Sequence, residues 1–167
     1  HPVAQVDALA ALGQVDFGEN RIAELVEKKN ATLAKNIRWH LIGQLQTNKV
    51  KLLPQGVILH TLDRVSLADK LAQHFATNPN GESGVDVLIQ VNCSGEENKS
   101  GVHPDALDAL CEYVAQKSAI RVRGLMTMAE HTDEEKTIRK AFAHLRSLSE
   151  NIAAQKFFLT YENILSM

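Results

Sequence analysis

Several short segments of this sequence bring together residue types able to do chemistry. The longest is residues 85–104, VDVLIQVNCSGEENKSGVHP. Lys99, between Asn98 and Ser100, is a cation that either holds an anion such as phosphate or is simply solvated. Cys93 could act as a thiol nucleophile if His40 or His60 served as its base, and equally suits a buried strand end. Glu96 and Glu97 could share acid–base work, but neighbouring loop residues usually point apart, so an exposed charge run is the plainer reading. Phe17-Gly18-Glu19-Asn20 pairs a glycine, which permits close backbone approach, with a carboxylate and an amide. Asn20 there either caps the next helix or hydrogen-bonds a ligand. His40, after Trp39, is either a satisfied core polar group or a ligand contact. Met126 and Met128, after Arg123-Gly124, suit packing or a cofactor wall. The chain has seven histidines but no HxH, HExxH or Cys/His spacing, which argues against a structural metal site.

Strands and helices must carry these residues. Residues 85–91 form a nearly continuous apolar run broken by Gln90, which suits a strand buried on both faces. Pro104 then opens a helix in which Leu107, Leu110, Cys111 and Val114 share a face, so Cys111 belongs to the core. The same strand–loop–helix alternation recurs. Strands are predicted over 15–17, 39–42, 57–62, 85–91, 120–128 and, last, 157–159 or 164–167. Helices are predicted over 2–12 and 22–33, with a turn or two at 49–53. A third helix starts at a capping-box-like Ser66-Leu67-Ala68-Asp69 and breaks at Asn78-Pro79-Asn80-Gly81. A long helix capped by Thr132 with Glu135 buries Ile138, Phe142, Leu145, Leu148 and Ile152. Such alternation predicts βαβ units with parallel strands.

The bulk numbers narrow the classes. The chain's 167 residues suit one domain. A net charge of −2 gives no basic field for nucleic acid, and no polybasic run suggests a membrane surface. No apolar run approaches the ~18 residues of a membrane span, and the start does not resemble a signal peptide. Two cysteines make no disulfide framework, which suits a soluble protein of a reducing, cytoplasmic compartment. A doubly wound sheet should show a glycine-rich turn after its first strand, and neither GxGxxG nor a Walker A motif occurs. Polar or glycine residues close nearly every strand instead: Asn20, Gly43, Asp63, Asn92 and the Thr127 region. That ring favours an α/β fold of the (β/α)8 TIM-type barrel, although eight strands need more chain than this.

FGEN before a helix, WHLIGQLQTNK, VLIQVNCSGEENKSG, IRVRGLMTM and a closing LSM occur in this order. The set resembles the YggS/PROSC-like pyridoxal phosphate homeostasis family over nearly the whole chain. The resemblance implies a single barrel like the alanine racemase amino-terminal domain, here lacking the first and last strands. It implies a pyridoxal 5′-phosphate (PLP) carrier or regulator without established catalysis, handing the cofactor to PLP-dependent apo-enzymes and expected to be a monomer. Of the cofactor-binding residues it implies, Asn20, His40 and Met126 lie near the cofactor. Lys99 is an auxiliary anion or PLP contact, and Ser166 and Met167 begin the phosphate-side loop. The Schiff-base lysine is expected just upstream of His1, and no lysine here takes its place. A PLP-dependent racemase of fold type III is the alternative, disfavoured because its second acid–base residue comes from another domain. A non-PLP interaction module is the third reading.

Overall fold

A computed structural model describes residues 1–76, 84–96, 99–158 and 161–167. Helix α1 (Val3–Ala11) leads into strand β1 (Asp16–Glu19), then α2 (Ile22–Ala31) and β2 (Arg38–Leu41). A 3₁₀ turn, Thr47–Leu52, replaces a full helix before β3 (Ile58–Leu62). Next come α3 (Val65–Ala76), β4 (Val85–Gln90), α4 (Leu107–Ala115), β5 (Ile120–Met126), α5 (Glu135–Gln155) and β6 (Ile164–Ser166). The strands pair in parallel in the order β1-β2-β3-β4-β5-β6, each beside its neighbour in sequence. Parallel neighbours need a crossover, and the crossovers place the helices on one face of the sheet.

Strand alternation then divides the side chains. Val85, Val87 and Ile89 of β4 and Ile120, Val122 and Leu125 of β5 join the apolar cluster with Leu25, Leu71, Val114 and Leu145 of the helices. Leu88 and Met126 are buried as well but stand outside that cluster, on the opposite face. That opposite face is curled. His60 on β3 hydrogen-bonds Ser166 on β6 at 2.9 Å. In a flat sheet, strands three steps apart are separated by about 14 Å, too far for these side chains to meet. The sheet is therefore a section of barrel wall, helices outside and polar residues inside, as expected for an incomplete (β/α)8 barrel. Gly124 makes the curl possible between β5 and β6: a Cβ there would lie 2.0 Å from the Ile164 carbonyl oxygen.

Local details differ from the sequence reading. Ser66 lies inside the first turn of α3, so it does not cap that helix. Thr132 and Glu135 form no capping box. Glu134 occupies the N-cap, its N–H donates to Thr132 Oγ1 at 3.2 Å, and its carboxylate accepts from Thr137 at 2.8 Å. Of the two candidate last strands, 164–166 is the one formed. Lys156 adopts a left-handed conformation (φ 55°) that ends α5, after which Phe157 and Phe158 fold back against the core. Leu159, Glu97, Asn98 and the Asn78-Pro79-Asn80-Gly81 break lie outside the described residues.

Candidate functional site

The carboxyl ends of parallel strands converge on one mouth, the usual place for a ligand in such folds. Here they surround a cavity of about 530 Å³. Asn20 follows β1; Ile42, Gly43 and Gln44 follow β2; Thr61 and Gln90 close β3 and β4. The loop after β4 adds Lys99 and Ser100, and that after β5 adds Met128, Ala129 and His131. The walls are partly apolar, through Ile42 and Met128, and partly amide and amine.

Backbone proximity fixes the rim. A Cβ on Gly43 would sit 1.9 Å from the Asn20 carbonyl oxygen, so the β1 and β2 loops can cross only because residue 43 is glycine. Gly18, the glycine singled out by sequence, would meet only Ile42 at 3.4 Å, an ordinary contact. Asn20 does not cap α2: Arg21 is the N-cap and no side chain bonds there. Glu19 beside it is tied to Lys28 at 2.6 Å. Gln44 Nε2 donates to Gln90 Oε1 at 2.5 Å, and Thr61 donates to the Gly43 carbonyl at 2.9 Å, tying the ends of β2, β3 and β4 together. Lys99 pairs with Glu96 at 2.5 Å and reaches the Ala129 carbonyl at 3.5 Å, so the ammonium is held over the cavity wall.

Below the mouth a second polar array crosses the curled face. His40 bonds Asp16 through Nε2 at 3.0 Å and His60 through Nδ1 at 2.9 Å, and His60 Nδ1 bonds Ser166 Oγ at 2.9 Å. Arg38 clamps Asp16 with two bonds of 2.7 Å, and with His40 it holds that carboxyl below its usual range. Burial, and then the neighbouring His40, push His60 down to about 4, so at neutral pH it is uncharged. At the amino-terminal end of β4 and β5, Asp86 pairs with Arg121 and Arg123, and Arg123 also bonds Glu162.

The predicted residues thus separate. Asn20 and Lys99 meet at the mouth. His40 and Ser166 belong to the array beneath. Met126 pairs in register with Ser166 and is only 5% exposed, while Met128, 62% exposed, lines the cavity. Met167 lies apart, in a surface pocket with Phe142 and Arg146 of α5. Cys93 is half-buried, and burial raises its thiol out of the range of a ready nucleophile. His40 and His60 are engaged with Asp16, Ser166 and each other rather than poised as its base. Cys111 is core, its thiol pushed up to about 12 by burial. Among the described residues, no three His, Cys, Asp or Glu side chains converge to hold a metal, and no helix is long and apolar enough to cross a membrane. Sequence reasoning missed Asp16, Gln44 and Thr61. Gln90 left a signal, the lone polar residue of its apolar run.

Comparison with known proteins matches the family model described as alanine racemase, N-terminal domain, to residues 1–164. The pyridoxal phosphate homeostasis protein of Aquifex aeolicus is 40% identical over 137 residues, covering 81% of this chain and 59% of that protein. The protein of that name from Pseudomonas aeruginosa is 38% identical over 148 residues, covering 88% and 63%. The chain thus spans about three fifths of the length of these curated relatives. Among solved structures, PipY of Synechococcus elongatus with PLP bound aligns with a TM-score of 0.84 at 27% identity, covering 100% of this chain and 76% of that one. The chain belongs to the alanine racemase N-terminal domain family, and the relatives it matches by sequence are pyridoxal phosphate homeostasis proteins.

Proposed function

We propose that this chain contributes a PLP-binding site at the strand-end mouth and serves PLP homeostasis as a carrier or regulator rather than as an enzyme. The observation that carries the reading is the convergence of Asn20, Gln44, Gln90 and Lys99 on a cavity of about 530 Å³. Cavities of about 300–1,000 Å³ suit small ligands and cofactors. The residues present fit the group. The Lys99 ammonium is a donor suited to a phosphate, Ile42 and Met128 offer apolar surface to a ring, and Asn20 offers an amide to its substituents. The names of the relatives and the PLP-bound neighbour support the same assignment.

When bound, PLP supplies an aldehyde reactive toward amines and an electron-withdrawing ring. The protein groups need only bind and orient it. Gln44 and Gln90 brace one another, so the cavity floor is preformed. Glu96 holds Lys99 in place and neutralises it, which suits an anchoring role better than proton transfer. No lysine of this sequence is assigned a covalent link.

The test is to mix the full chain with PLP, follow visible absorbance and equilibrium binding, fix any adduct with borohydride for intact mass, and assay alanine racemisation. Bound PLP without racemisation is the expected result. Racemisation at enzymatic rates would replace the carrier with a racemase. Absence of PLP affinity would select an interaction module.

A further inference from the structure

Gln90 is 2% exposed and ends β4, where Val87, Leu88 and Ile89 before it and Val91 after it are all buried and apolar. A polar side chain in such a run costs free energy unless its hydrogen bonds are met. Both ends of the amide are engaged. A backbone carbonyl only accepts, so Gln90 Nε2 faces the Ser100 carbonyl, 3.4 Å away. Oε1 is then left to accept from Gln44 Nε2. The amide thus joins the loop after β2 to the segment that carries Lys99.

The backbone makes a second link at the same place. The Val102 N–H donates to the Gln90 carbonyl at 2.9 Å, and the Asn92 N–H donates to the Val102 carbonyl at 2.9 Å. Val91 and Val102 therefore form a parallel bridge, and the chain returns alongside the end of its own strand. Glycine at position 101 permits that return. Gly101 has a φ of 120°, and a Cβ there would lie 2.7 Å from the Asn92 nitrogen and 2.8 Å from the Val91 carbonyl carbon. The outgoing arm is set by Asn92, whose Nδ2 donates to the Glu96 carbonyl at 2.7 Å while its Oδ1 accepts from Ser94 and Gly95. Glu96 is thereby placed to pair with Lys99.

A lysine stem is long, and rotors left free are entropy lost when an anion binds. A backbone fixed beforehand lowers that loss. We propose that Gln90 and Gly101 are positioning residues for the anion contact, holding residues 100–102 on the end of β4 so that the Lys99 ammonium stands over the mouth. The proposal rests on the PLP reading above, which makes Lys99 the donor to the phosphate.

The test is a double-mutant cycle on the full chain with pyridoxine 5′-phosphate, which lacks the aldehyde and so reports binding without covalent capture. Gln90→Met keeps length and apolar packing but removes both side-chain bonds. Gly101→Ala acts on the backbone bridge instead, so either variant suffices if the other does not fold. Each should weaken binding about fivefold in the unaltered background and by less than about twofold in the Lys99→Gln background, where the contact is already gone. A merely structural role would lower affinity by the same factor in both backgrounds. That result, undiminished affinity in the single variants, or a Lys99→Gln variant that binds like the unaltered protein would overturn the positioning role and leave the PLP site standing. Hydrogen exchange on the unaltered protein needs no variant: the Val102 amide should be protected before any ligand is added, and rapid exchange there would overturn the preformed bridge. No binding of pyridoxine 5′-phosphate by the unaltered protein would overturn the PLP reading and the proposal together.

Discussion

The two faces of the sheet do different work. On the outer face, Val87, Ile89, Val122 and Leu59 join the apolar cluster that the helices close. On the inner face, Asp16, His40, His60 and Ser166 exchange hydrogen bonds across strands that are not neighbours. One face converts buried area into stability. The other spends some of that stability to hold polar groups in a fixed pattern, since each imidazole loses water that its partners must replace. The same strands serve both, because alternate residues point to opposite sides.

If the faces are separate devices, Leu59→Ala should strike stability alone. Leu59 is fully buried, and the truncation should cost about 2–5 kcal/mol in chemical denaturation. Ligand affinity in the folded fraction should hold; a parallel loss would show that the faces are coupled. Gly43→Ala tests the rim, where the added methyl meets the Asn20 carbonyl. It should cost about 1–3 kcal/mol and also weaken PLP binding, unlike Leu59→Ala.

The inner face should also reveal itself through pH. His60 falls from 6.5 to about 4 on folding, so between those values the unfolded chain holds more protons than the folded one. Stability is then full above pH 6.5, falls as pH falls through 6.5, and stops falling below about 4. Between about pH 7 and 5 the loss from this group should be about 2 kcal/mol. Comparing denaturation midpoints with His60→Gln isolates it, and identical pH slopes would count against a neutral buried imidazole. Lys99→Gln should lower PLP affinity about tenfold, or ~1.4 kcal/mol, with little change in melting. Arg139→Ala, which removes an exposed pair to Glu135 at 2.6 Å, should change stability by no more than about 0.5 kcal/mol. It marks the floor against which the other variants are read.

The outer face was largely legible in the sequence, because its logic is local. The apolar run at 85–91 and the Leu107, Leu110, Cys111, Val114 stripe announce their elements through periodicity alone. The mouth was legible in part: Asn20 and Lys99 stood out as polar residues at strand ends. The inner array was not. His40 and His60 are 20 positions apart, and His60 and Ser166 are 106 apart, so only register and curl bring them together. Asp16 falls in a very short strand, predicted over 15–17, and nothing local marks its carboxylate as a partner of His40. Tertiary packing overrode local signals elsewhere. The aromatic pair Phe157-Phe158 has strand propensity, but the left-handed turn at Lys156 sends it back to the core.

The order of the strands has a consequence for how the chain is made. Every strand pairs with the one synthesised just before it, so each new βα unit can dock on a finished edge as it leaves the ribosome. Assembly is then a zipper with short loops to close at each step, and the entropic cost of each addition stays small. The bond from His60 to Ser166 is different, since it waits for β6, 106 residues further along the chain. Pulse-labelled hydrogen exchange during refolding should protect β3 and β4 early and β6 late, which would make the polar array a signal that β6 has joined the sheet.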